Sequence, residues 1–226
     1  MTADATKQPA APSSLRLVLT LAIAGLVSGV AIIGIYETTL PTITANKARE
    51  LREAVFKVLP GVSRMQALVY RDGRILAVPE PQKGEPVVYG GYDEQGDFVG
   101  YAMPGAGPGF QDTIALLYGY LPREKQVVGM EILESRETPG LGDKIYKDAA
   151  FVAEFSALAI EPEIVTMKKG TGSQPNHVDA ITGATISSKA VVRIINETHA
   201  AWVEQLPAPG TEPPLRGGPE DSGTGQ

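Results

Sequence analysis

The chain has 226 residues, with 20 Lys and Arg against 26 Asp and Glu, two His and no Cys. Without Cys it cannot form a disulfide, a Cys-ligated iron–sulfur cluster or a c-type haem attachment. His177 and His199 are too far apart to share a helical turn, which argues against a metal site built from histidines. A net charge of −6 argues against a nucleic-acid binder, because such proteins need clustered Lys and Arg.

An uncharged apolar segment near the N-terminus, LVLTLAIAGLVSGVAIIGIY at residues 17–36, predicts a transmembrane helix over 15–36. As a helix it would be about 30 Å long, the hydrocarbon thickness of a bilayer. A cleaved signal peptide is the alternative, but no A-x-A pattern follows the segment. Gly25 and Gly29 form a G-x-x-x-G pair that suits close approach of another membrane helix, or are simply glycines of the kind common in such helices.

Arg16 lies directly before this segment and favours a cytoplasmic N-terminus. The rest of the chain would then be outside the inner membrane, in the periplasm of a Gram-negative bacterium. The polar residues 1–14 and the Pro- and Gly-rich residues 207–226 predict disordered tails. Between the membrane segment and the second tail, residues 37–206 are long enough for one domain.

Hydrophobic periodicity predicts an α+β domain with a largely antiparallel sheet. Asp72-Gly73 is typical of a tight hairpin turn. Helices are predicted at 44–59, 148–160 and 187–205, and extended segments at 66–70, 74–78, 87–92, 98–103, 113–120, 127–133 and 163–167.

Two loops could carry chemistry. The first is Glu137-Thr138-Pro139-Gly140-Leu141-Gly142, in which Pro-Gly suits the centre of a type II turn and Gly142 allows backbone to approach a ligand. Composition alone favours a structural turn, because Pro and Gly occur in loops of every kind.

The second loop, Asp179-Ala180-Ile181-Thr182-Gly183-Ala184-Thr185, precedes the helix predicted to begin near Ser187. Hydroxyl groups crowd this helix N-terminus, where free N–H groups and the helix dipole favour an anion such as phosphate. The alternative is ordinary N-capping by Thr185 or Ser187, which needs no ligand. Lys189 and Arg193 could reach a phosphate or could simply lie on a solvated helix face.

These two motifs, T-G-A-T at 182–185 preceded by Asp179 and E-T-P-G-L-G at 137–142, lie behind a single membrane segment. In this arrangement the chain resembles the FMN-binding domain family across nearly its whole length. Within that family it is most similar to the G subunit of the Rnf ion-translocating electron-transport complex, and next to the C subunit of the sodium-pumping NADH:quinone reductase.

The resemblance implies that Thr185 carries FMN through a phosphoester bond made by a separate flavin transferase, which uses FAD and magnesium. Asp179 would help the transferase position the segment, or would serve only as a turn or cap residue. Gly183 and Ala184 would leave the Thr185 hydroxyl open, and Thr182 completes the motif. In the first loop the resemblance makes these residues candidate flavin contacts, together with the turn glycine: Glu137, Thr138, Gly140, Leu141 and Gly142.

The function implied is that of an electron-carrier subunit, with no catalytic side chain and no metal, in a complex that couples ferredoxin and NAD redox chemistry to ion translocation. Its partners would be the other subunits of that complex. The alternatives are the C subunit of the sodium-pumping reductase, or a membrane-anchored binding module without flavin in which Thr185 is only a helix cap.

Overall fold

A computed structural model describes residues 13–216. The tails predicted for 1–14 and 207–226 therefore lie partly outside the described residues, at 1–12 and 217–226. Contacts divide the chain into two units, residues 1–48 and residues 49–226.

The first unit consists, in its described part, of most of helix α1, Ser14–Val58. The sequence predicted two helices, at 15–36 and 44–59, but the structure has one continuous helix that includes Pro41. Around this proline the hydroxyl groups of Thr38 and Thr44 donate to carbonyl oxygens one turn earlier, those of Gly34 and Leu40. The polar residues that follow the apolar segment thus remain within the helix.

Helix α1 is long and apolar enough to cross a membrane. Its most apolar 18-residue window has a mean hydropathy of 2.5, and none of that window is buried within the protein. An apolar helical segment with no buried residue is typical of a segment that lies in lipid rather than in water.

The second unit contains a seven-stranded antiparallel sheet in the order β2-β1-β3-β4-β5-β6-β7. This confirms the predicted α+β class with a largely antiparallel sheet. The turn at Asp72 and Gly73 has positive φ at both residues, 52° and 79°, as a tight hairpin requires. The strands are β1 Arg64–Arg71, β2 Arg74–Val78, β3 Val87–Tyr92, β4 Phe98–Pro108, β5 Thr113–Leu121, β6 Gln126–Glu134 and β7 Leu158–Ala159.

The helix predicted at 148–160 is wrong in its extent. The structure has two short helices, α2 Lys144–Lys147 and α3 Ala149–Ala153, then a single 3-10 turn and strand β7. Asp148 starts α3 by accepting hydrogen bonds from two backbone N–H groups. The helix ends early because Leu158 and Ala159 pair with the edge of β6.

Two further short strands, β8 Val165–Met167 and β9 His177–Asp179, form a parallel pair. Helix α4, Thr185–Trp202, follows β9 and packs across β4 and β5. Gly105 and Gly107 on β4 make this packing close, because a Cβ at either position would collide with Ile194 of α4.

The opposite face of the sheet receives the end of α1 on four glycines from adjacent strands. Gly91 pairs with Gly100 across β3 and β4, and Gly119 pairs with Gly129 across β5 and β6. A Cβ on any of the four would meet Val58, Leu59 or Val62. The sheet is thus covered on both faces, by the end of α1 on one and by α4 on the other.

The segment 207–216 has no helix or strand, but hydrogen bonds hold it to the sheet. Tyr92 donates its hydroxyl hydrogen to the Pro213 carbonyl oxygen at 2.5 Å, and the Gln66 amide donates to that of Pro214 at 3.0 Å. The Arg216 N–H in turn donates to the Gln66 side chain at 2.9 Å.

Candidate functional site

Helix α4 begins at Thr185, two residues earlier than predicted, and its cap residue is Ala184. No side chain caps this N-terminus. The capping interpretation of Thr185 and Ser187 is therefore wrong: the nearest acceptor of the Thr185 hydroxyl is the Ile181 carbonyl oxygen at 3.4 Å, and Ser187 donates elsewhere. The first turn of an 18-residue helix is left open beside an exposed hydroxyl.

The T-G-A-T segment is a tight turn whose backbone is held in place by hydrogen bonds to Ser188. The Ala184 N–H donates to the Ile181 carbonyl oxygen at 2.9 Å, and Gly183 has a φ of 83°, which favours glycine. The buried Ser188 hydroxyl accepts from the Ile181 N–H at 3.1 Å and donates to the Ala184 carbonyl oxygen at 2.9 Å. These bonds hold the backbone in place while the Thr185 side chain stays exposed.

The E-T-P-G-L-G segment contains the predicted type II turn. The Leu141 N–H donates to the Thr138 carbonyl oxygen at 3.1 Å, and Gly140 has a φ of 79°. The Thr138 hydroxyl donates to the Gln111 side chain at 2.8 Å, which ties this loop to the turn between β4 and β5.

The two loops form opposite walls of one groove with a cavity volume of about 310 Å³. Six of the predicted site residues line it, together with three residues that were not predicted. The lining residues are Phe110, Thr138, Leu141, Gly142, Gly183, Ala184, Thr185, Ile186 and Ser187.

Four predicted site residues do not line this groove. Gly140 lies at the exposed tip of its turn and Thr182 is exposed beside Gly183. Glu137 is only 5% exposed and points inward. Asp179 uses its carboxylate elsewhere: it accepts from the N–H groups of Gly170, at 2.5 Å, and Gly172, at 3.0 Å. That contact gives Asp179 a loop-stabilising role.

Three of the lining residues expose large apolar side chains to solvent: Phe110 at 64%, Ile186 at 56% and Leu141 at 50%. Phe110 and Ile186 were missed because each looks like an ordinary residue of a turn or a helix. The only signal in the sequence was their position, next to Gly109 and to Thr185. Exposed apolar side chains around a groove are typical of a ligand site.

The two cations considered for a phosphate differ in their contacts. Lys189 is exposed and makes no ion pair with any residue in 13–216. Arg193 donates to the Pro108 carbonyl oxygen at 2.5 Å and lies 3.6 Å from a Glu197 carboxylate oxygen. Lys189, one turn after Thr185, is therefore the better placed of the two to balance a negative charge there.

The groove fits a flavin mononucleotide in its chemistry. Apolar side chains could contact the ring system, and two glycines leave the walls without side chains at 142 and 183. The open helix N-terminus beside Thr185 is a position at which a phosphate would be stabilised.

Comparison with known proteins identifies an FMN-binding domain in the part of the chain that contains the groove. The sequence profile of the FMN-binding domain family matches residues 109–200, which include every residue that lines the groove. The G subunit of the ion-translocating oxidoreductase complex of Escherichia coli K12 is 31% identical over 75% of this chain and 84% of its own length. The corresponding G subunit from Methanosarcina acetivorans is 29% identical over 78% of this chain and 88% of its own length.

Two solved structures share the fold. NqrC from Shewanella oneidensis has a TM-score of 0.56 at 17% identity, covering 71% of this chain and 98% of its own. The C subunit of the Na⁺-translocating NADH-quinone reductase from Parabacteroides distasonis has a TM-score of 0.52 at 22% identity, covering 65% and 79%. The chain therefore belongs to the family of G subunits of ion-translocating oxidoreductase complexes and contains its FMN-binding domain.

Proposed function

We propose that this chain is an electron-transfer subunit of a membrane-bound Rnf-type complex and carries FMN as a phosphoester on Thr185. The observation that supports this most directly is the exposed Thr185 hydroxyl at the uncapped start of α4, within a groove that has apolar side chains on both sides. One related G subunit, from Acetobacterium woodii, is named as part of a Na⁺-translocating ferredoxin:NAD⁺ oxidoreductase complex and is 30% identical over 68% of its own length.

Attachment requires an accessible hydroxyl and a place for the phosphate. A flavin transferase would form a bond between the Thr185 oxygen and the FMN phosphorus, break the phosphoanhydride of FAD and release AMP, while the hydroxyl proton is lost. The N–H groups in the first turn of α4 then stabilise the phosphate, and Lys189 adds a positive charge one turn later. When bound, the flavin supplies one- and two-electron redox chemistry that no side chain of this chain provides.

The chain's own residues would hold the flavin in place. Phe110, Leu141 and Ile186 offer apolar surface to the ring system, and Gly142 lets it approach the backbone. A covalent link retains the carrier in a water-filled compartment from which free FMN would be lost. Under this proposal the domain is periplasmic, α1 is its single membrane span, and its partners are the other subunits and, during maturation, the transferase.

Two alternative functions have less support. The first is the C subunit of the sodium-pumping NADH:quinone reductase, because the solved C subunits resemble this chain in fold at 17% and 22% identity, whereas curated relatives at 30% and 31% are G subunits. The second is a binding module without flavin. It has less support because it assumes that Thr185 caps α4, and no side chain caps that helix.

The experiment is intact-protein mass spectrometry of the full chain purified from its native membranes, with peptide mapping of residues 171–193. We expect an added mass of one FMN less one water on Thr185, lost in Thr185→Val. Thr171→Val is the control, since Thr171 is also exposed and lies in the mapped region but outside both motifs and the groove lining, and it should keep the adduct. An unmodified wild-type chain from cells with an active transferase would refute the proposal.

A further inference from the structure

Glu137 is a buried carboxylate that has hydrogen-bond donors but no ion-pair partner among residues 13–216. Its Oε1 accepts from the N–H groups of Phe110 and Gln111, both at 2.9 Å, and its Oε2 accepts from the Ser187 hydroxyl at 2.5 Å. No Lys, Arg or His within residues 13–216 forms an ion pair with it. The negative charge is therefore stabilised in place without being neutralised.

These contacts put the carboxylate directly beneath the groove. Ser187 and Phe110, two of its partners, are lining residues. Gly142, a third neighbour, is so close that a Cβ there would lie 2.5 Å from Oε2. Only the residues that line the groove thus separate the charge from the space that the flavin would occupy.

Burial by itself would raise the pKa of Glu137, but the hydrogen bonds from Ser187 and from the backbone of the β4–β5 turn outweigh it and lower the pKa below its usual value. The carboxyl group is therefore ionised at neutral pH. Two other carboxylates near the groove differ, because each has a cationic partner. Asp143 pairs with Lys147 at 2.6 Å, and Asp112 lies 3.8 Å from Arg136.

We propose that the Glu137 carboxylate is a fixed negative charge under the groove that lowers the reduction potential of the flavin held there. This inference rests on the proposed function. Adding electrons to a flavin increases its negative charge, and a buried anion a few ångströms away disfavours that change far more than an exposed one would. Glu137 thus makes the reduced carrier a stronger electron donor.

The test is a spectroelectrochemical titration of the flavin-loaded full chain and of Glu137→Gln. Glutamine keeps the shape, and its carbonyl oxygen can accept from both backbone N–H groups. Its amide NH2 group would donate to the Ser187 hydroxyl instead of accepting from it, so the contacts remain while the charge is lost. We expect a positive shift in midpoint potential that corresponds to at least a tenfold change in the reduction equilibrium, about 59 mV for a one-electron step. Glu163→Gln, which removes a charge from an exposed position outside the groove lining, should leave the potential unchanged.

A loaded Glu137→Gln protein with the wild-type potential would overturn the proposal and leave only a positioning role for Glu137. Where Glu137→Gln fails to fold, Ser187→Ala decides the question. Measured at about pH 8, well above the ordinary pKa of a carboxyl group, this variant keeps the charge but lacks a donor that partly offsets it, so the potential should shift negatively. An unchanged or more positive potential in Ser187→Ala would contradict the proposal. A wild-type chain without flavin would refute the proposed function instead, so the two failures are distinguishable by mass.

Discussion

The Val58 carbonyl oxygen packs directly against Gly129, where a built Cβ would lie only 2.7 Å from it. The end of α1 can rest on the sheet only because β5 and β6 carry glycines at this point. We therefore expect Gly129→Ala to lower the free energy of unfolding by about 1–3 kcal/mol, the usual cost of overpacking a close contact.

Denaturant unfolding of the full chain in detergent, followed by tryptophan fluorescence, measures this change. Gly119→Ala should be at least as harmful, because a Cβ there would overlap the same carbonyl oxygen more severely. Two variants as stable as the wild type would show that α1 does not pack on these glycines.

Phe110 is expected to contact the flavin rather than to stabilise the fold. Because its side chain is 64% exposed, Phe110→Ala should change stability by less than about 0.5 kcal/mol. The flavin should stay attached through Thr185 but become more mobile and more accessible to iodide quenching. Tyr70→Ala, at an exposed apolar residue outside the groove, is the control and should leave both properties unchanged.

The stability of the domain should fall as the pH drops below about 6.5, the ordinary pKa of histidine. His199 is 6% exposed, both of its ring nitrogens lack hydrogen-bond partners, and burial lowers its pKa despite the opposing effect of Glu161. Below pH 6.5 the unfolded chain then binds a proton that the folded chain resists, so unfolding is favoured. This loss continues until the pH reaches the lowered pKa of the folded state.

The measurement is the denaturation midpoint of the full chain between pH 5 and 8. His199→Phe should flatten the profile near pH 6 while keeping the ring contact with Tyr120, whose ring centre lies 4.8 Å from that of His199. An equally steep profile in His199→Phe would assign the effect to other groups.

Asp179 is expected to act on the loop before β9 rather than on the flavin. Asp179→Ala removes the acceptor of the Gly170 and Gly172 N–H groups, so these amides should lose hydrogen-exchange protection, with a stability cost of about 1–2 kcal/mol. Protection that persisted in Asp179→Ala, together with loss of flavin attachment, would point instead to recognition by the transferase.

Several elements could be predicted from the sequence because their causes are local. The apolar run of 17–36, the strand alternation, the Asp72-Gly73 and Pro139-Gly140 turns and the apolar face of α4 each depend on residues close together in the chain. The two motifs also identified the family, because their residue types and their order can be recognised in the sequence without knowing how far apart they lie in space.

How these elements pack together depends on long-range contacts that are seen only in the folded domain. Glu137 was predicted to contact the flavin, but it is buried and accepts a hydrogen bond from Ser187, which is 50 residues away in the chain. No local sequence pattern predicts such a pair. Phe110 lines the groove because the β4–β5 turn lies beside the E-T-P-G-L-G loop. The helix predicted at 148–160 ended early for the same reason, since pairing with β6 outweighed its local helical period. Long-range packing and hydrogen bonding set these features, and they exist only once the sheet has formed.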